Sequence, residues 1–105
     1  TNAVVCYQDN DNSGKCAHIG RSGTTLSAQT PVEFEDGNTQ YVNVAAFDAT
    51  NAVVCYQDND NSGKCAHIGR SGTTLSAQTP VEFEDGNTQY VNVAAFDATN
   101  AVVCY

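Results

Sequence analysis

The chain has 105 residues, with twelve Asp and Glu against four Lys and Arg, and a net charge of −8. That balance excludes the clustered basic residues that phosphate backbones and anionic headgroups require, and no run approaches the ~18 apolar residues of a membrane-spanning helix. Neither nucleic-acid binding nor membrane insertion is therefore expected.

The heptapeptide TNAVVCY stands at Thr1–Tyr7, at Thr50–Tyr56 and at Thr99–Tyr105. A shift of 49 positions lays every residue from Thr1 to Tyr56 on its own identity, so the chain is a unit at 1–49, a second at 50–98 and the first strand of a third at 99–105. A fixed period of this length marks solenoids, propellers or arrays. Each unit carries Asp9, Asp11, Glu33, Glu35, Asp36 and Asp48 against Lys15 and Arg21, which leaves −4 per copy. Opening on Thr1 inside a strand-like run suggests a processed product or a segment of a longer array. Units that bury surface only against their neighbours usually need three or more, so more copies or partner chains are expected.

Taken in order, the unit begins with the strand AVVCYQD, followed by a turn at Asn10–Gly14 and the strand KCAHIG. After Arg21-Ser-Gly comes TTLSAQ, then Pro31 and VEFE, where Val32 and Phe34 share one face and Glu33 and Glu35 the other. The missing N–H of Pro31 is best tolerated on an edge or at a bulge, so these two runs read as one interrupted strand. Asp36-Gly-Asn-Thr is a turn, the run QYVNVAAFD alternates from Gln40, and Asp48–Asn51 turns the chain back into the next AVVCYQD. Val, Thr, Tyr and Phe thus fall in short runs between Gly, Asn, Asp and Pro, without Met, Trp or a 3.6-residue period, which is an all-β pattern.

Four antiparallel strands in one unit match the size of a β-propeller blade. A sandwich needs about seven strands over roughly 100 residues and would place identical sequences in inequivalent positions. Tandem four-stranded blades, closing into a ring or running on as an open filament, avoid that conflict. The order YVNVAAFD, AVVCYQD, DNSGKCAHIG, SGTTLS and QTPVEF resembles the roughly 50-residue β-propeller-like repeats of bacterial and phage surface proteins. The resemblance spans the whole unit and implies surface location with no established catalytic residues. Cys6 and Cys16 depart from it, standing where the pattern has small or hydroxyl residues, and His18 replaces an aliphatic one.

The cysteines follow the period: Cys6 and Cys16 recur as Cys55 and Cys65, and Cys104 begins a further pair. Paired cysteines without catalytic context read as disulfides of an oxidising, extracellular setting. Zinc would need more ligands than two Cys ten residues apart, even with His18 added. If AVVCYQD pairs with KCAHIG around a turn near Asp11, Cys6 lies opposite Cys16 and a bridge staples the hairpin. The alternative joins Cys16 to Cys55 and Cys65 to Cys104, which would link successive units.

Three further candidates carry chemistry. Asp9, Asp11 and Ser13 before Gly14, repeated as Asp58, Asp60 and Ser62, resemble the first half of a calcium loop, yet Gly20 and Gly69 stand where the bidentate acid belongs. An Asx-rich hairpin turn explains the same letters without a metal. Tyr7, Gln40, Tyr41 and Asn43 offer the aromatics and amides of a shallow glycan site repeated per unit. Glu33, Glu35 and Asp36 are the only candidates for a paired-carboxylate glycosidase, and their spacing on a strand suits a solvated edge better. No N-x-[ST] sequon occurs. The sequence therefore points to a non-enzymatic extracellular structural or adhesive repeat protein that associates with copies of itself, with no cofactor apart from calcium at those loops. The alternative is a multivalent carbohydrate-binding propeller.

Overall fold

Asx and Gly turns fold the chain into antiparallel hairpins throughout. In the computed structural model, which describes all 105 residues, β1 (Asn2–Gln8) pairs with β2 (Gly14–Ser22), placing Cys6 opposite Cys16, Tyr7 opposite Lys15 and Gln8 opposite Gly14. The turn between them closes with Asp9 N donating to Ser13 O at 2.7 Å and Asn12 N to Asp9 O at 2.9 Å. Asn12 sits there at φ 72°, a left-handed conformation that Asn adopts more readily than most residues. Gly23 at φ 60° reverses the chain between Ser22 and Thr25.

β3 (Thr25–Ala28) and β4 (Val32–Glu35) both pair with β2, the first along Ile19–Ser22 and the second along Gly14–Cys16. They are one outer strand broken at Pro31, where the missing donor was expected to interrupt pairing. The second sheet repeats this plan with one more strand: β5 (Gln40–Ala46), β6 (Asn51–Gln57), β7 (Gly63–Ser71) and β8 (Thr74–Ala77) in that order, with β9 (Val81–Glu84) also on β7. The β5–β6 turn is an Asx turn, since Asp48 Oδ1 accepts from Thr50 N at 2.8 Å and Asn51 N at 2.9 Å. β10 (Asn92–Ala95) and β11 (Ala101–Cys104) form a two-stranded third sheet.

The fold is therefore all-β, with antiparallel sheets in two similar halves, and the strands close no ring. The four-strand set anticipated from Gln40 onward is complete once, in the second sheet. The first sheet has no counterpart of β5, and the third has counterparts of β5 and β6 alone. Sheet and sequence share one period but differ in phase, because the strand at Gln40–Ala46 joins the sheet of the following unit.

Alternation gives every sheet two different faces. Cys16 and Phe34 of the first sheet pack into one core with Ala52, Val54, Tyr56, Ala66 and Ile68 of the second. The opposite face of the second sheet, through Val53 and Cys55, packs with Val91 and Val93 leading into and along β10. Successive sheets thus meet by unlike faces, and the middle one is covered on both.

Candidate functional site

The seam between sheets is built on a repeated three-residue latch. Tyr56, fully buried on β6, sets its ring 4.9 Å from that of Phe34 and donates its hydroxyl to Glu35 Oε2 at 3.1 Å. One unit later Tyr105 does the same, 5.2 Å from Phe83 and 3.0 Å from Glu84 Oε2. Burial, reinforced by the Glu35 charge, pushes the Tyr56 hydroxyl pKa well above its usual range, so it stays a donor. Gly14 makes room for the latch: a Cβ there would fall 2.4 Å from the Phe34 ring.

The three copies of TNAVVCY show how far the seam decides burial. On β6 every position after Asn51 is buried, whereas on β1 and β11 the same letters are mostly exposed. Val54 is fully buried and Val5 is 43% exposed; Tyr56 is fully buried and Tyr105 is 58% exposed. Local sequence is identical, so the difference comes from what packs against it.

The acidic hairpin loops are closed by a lysine rather than left open. Lys15 Nζ bonds Asp9 Oδ2 and lies 3.6 Å from Asp11 Oδ2, and Lys64 bonds Asp58 in the same way. That hydrogen bond, followed by the one from Asn10 N, holds the Asp9 carboxyl below the usual carboxylate range, and it raises the Lys15 pKa in return. Asp11 Oδ1 accepts from both the amide and the hydroxyl of Ser13. In the second loop Asp58 accepts from Ser62 and from Asp60 N. The carboxylate oxygens accept from the ammonium, the Ser hydroxyls and the loop amides, and no cluster of three or more His, Cys, Asp or Glu side chains is gathered to hold a metal.

Both disulfides staple hairpins. Cys6–Cys16 and Cys55–Cys65 close with Cα atoms 4.1 Å apart, and the pairings between successive units, Cys16–Cys55 and Cys65–Cys104, are not formed. Cys104, grouped with the bridged cysteines on sequence grounds, is instead a free, exposed thiol. Two such bridges belong to an oxidising, extracellular environment. His18, 2% exposed, bonds Asn2 Oδ1 through Nε2 at 2.8 Å and approaches no metal cluster.

The glycan candidates separate. Gln40 and Tyr41 lie exposed at the start of β5, where the register slips before Asn43 and Tyr41 takes φ 53°. The Tyr41 ring sits 5.1 Å from Tyr90, its counterpart in the next unit. Asn43 is spent on structure, its Oδ1 accepting from Val93 N at 3.0 Å, and Tyr7 is half-buried on a different strand. Glu35 is engaged in the latch and accepts from Gly37 N at 3.1 Å, while Glu33 pairs opposite Lys15 in the sheet.

Two contacts of the site were missed in the sequence reading. The Lys15 clamp had a signal, since hairpin register puts Lys15 at the mouth of the acidic turn. The Tyr56–Phe34–Glu35 latch had none, because it joins residues 21 apart across two sheets. No protein-family model matches the chain, and no curated protein or solved structure matches it either.

Proposed function

We propose that the protein is an extracellular structural and adhesive repeat whose disulfide-stapled sheets stack on further copies into a fibre or a propeller-like ring on a cell or virion surface. One observation carries this reading: unlike faces of consecutive identical units bury each other at Val54 and Tyr56, while the same residues at Val5 and Tyr105 stand exposed. An interface of unlike faces is heterologous, so its repetition yields a ring if the rotation closes and a filament if it does not. No catalytic role is assigned to any residue. Sedimentation across a concentration series, with negative-stain imaging of the heavy species, tests the reading. Concentration-dependent discs or fibres are expected, and a chain that stays monomeric throughout refutes it.

A second reading, a multivalent carbohydrate-binding propeller, draws on the Tyr41–Tyr90 pair, whose members are 36% and 78% exposed. Aromatic faces repeated along an array gain strength by avidity. A glycan array that stays blank for the wild type, or a signal that survives Tyr41→Ala with Tyr90→Ala, removes it.

A further inference from the structure

β10 holds β11 with Asn92 opposite Cys104, Val93 opposite Val103, Ala94 opposite Val102 and Ala95 opposite Ala101. β5 holds β6 in the identical register, from Asn43 opposite Cys55 to Ala46 opposite Ala52. β6, however, brings β7, β8 and β9 behind it, and these cover the neighbouring sheet. β11 adds only Val103 to the second core, and Tyr105 just after it covers the latch at Phe83 and Glu84. His67 therefore stands exposed where His18 is 2% exposed, and Val81 is 67% exposed where Val32 is half-buried.

The first sheet has the complementary deficits. β1 pairs with β2 alone, so its other edge, which β5 fills on β6, is open. The face that β6 to β8 bury against the first sheet is bare on the first sheet itself, at Val5 (43% exposed) and Leu26 (66% exposed). Its latch tyrosine, Tyr7, has neither a Phe nor a Glu partner.

We propose that β1 of a second copy of this chain takes the place of β11 on β10. The two strands share one sequence, so the exchange preserves every pairing: Asn92 then faces Cys6 of the second copy, Val93 faces Val5, Ala94 faces Val4 and Ala95 faces Ala3. It also fills the open edge of β1 and seats Tyr7 on Phe83 and Glu84. β2 to β4 of the second copy then cover His67 and Val81. What β11 gives up is returned like for like, so the newly covered apolar face decides the balance. The occupant follows from continuity, because the seam inside each chain is already this interface. A net charge of −8 per copy opposes the approach, and added salt favours it by screening.

The proposal rests on the self-stacking reading above, and one experiment separates the two. Val93 donates its amide to Asn43 rather than to β11, which makes its position opposite Val103 a narrow, non-hydrogen-bonded pair of the kind a disulfide spans. Two variants of the 105-residue chain on a Cys104→Ser background, one carrying Val5→Cys and the other Val93→Cys, are mixed under mild oxidation. The expected result is a covalent mixed dimer linked through positions 5 and 93, more abundant at higher protein concentration and suppressed by excess TNAVVSY peptide. Large assemblies without that link, or a link indifferent to the peptide, overturn strand exchange while stacking stands. Absence of any assembly at the highest concentration overturns both.

Discussion

Val54→Ala and Val5→Ala make the same chemical change in the same heptapeptide, and the seam requires them to differ. The substitution deletes two methyl groups, worth about 1.6 kcal/mol of transfer free energy at ~0.8 kcal/mol each. Val54 is fully buried, between Val44 on β5 and Ala66 on β7, so a residual cavity adds to that and brings the loss to about 2–3 kcal/mol. Val5 is 43% exposed in the lone chain; part of the transfer free energy was never gained and solvent fills the gap, giving a loss below about 1 kcal/mol. In a domain of this size the first corresponds to a fall in Tm of roughly 10 °C or more. Guanidinium unfolding at a dilution where the chain is monomeric measures both, read as a shift in midpoint at constant m. Equal losses at the two sites in the dilute monomer would refute the argument that inter-sheet packing, and not the strand sequence, sets the burial of TNAVVCY. Repeated at a concentration where copies associate, the Val5 penalty should rise toward that of Val54.

Other perturbations probe the latch, the bridges and the loops. Gly14→Ala drives a Cβ into the Phe34 ring and should cost about 1–3 kcal/mol as overpacking; a neutral outcome in the same unfolding assay would mean that the ring is not held there. Thiol titration of the native chain should count one accessible group, Cys104. Reduction of the two bridges, each spanning ten residues, should remove on the order of 3 kcal/mol apiece, and a Tm unchanged by reductant contradicts that. Acid should destabilise the fold. Asp9 is held below the usual carboxylate range by Lys15 and then Asn10 N, and Asp48 and Asp97 chiefly by the amides of Thr50 and Thr99. Depressed native pKa values give stability that is present above the unfolded value of about 3.9 and lost as pH falls through the native ones. The Tm should therefore decline below about pH 4, and a Tm that climbs there would contradict these contacts.

Which strands exist, where they turn and how hairpins register could be read from the letters, because each depends on neighbours in sequence. Alternation fixed the faces of VEFE, Asx and Gly clusters marked the turns, and Pro31 marked the break between β3 and β4. The Cys6–Cys16 bridge followed from the register of a single turn. The rival pairing of Cys16 with Cys55 fits the 49-residue period equally well, and the pairing of β1 with β2 decided for the bridge within the hairpin.

What the sequence by itself determined is a periodic, disulfide-bearing, all-β chain whose units are chemically interchangeable. What only the tertiary structure decided is that they are not physically interchangeable. Tyr56 is buried on a Phe34–Glu35 latch, Tyr105 holds the corresponding latch from an exposed strand, and Tyr7 has none. Burial belongs to pairs of surfaces, and a side chain's environment is set by whatever sheet lies across from it, which no local pattern of identical residues can encode.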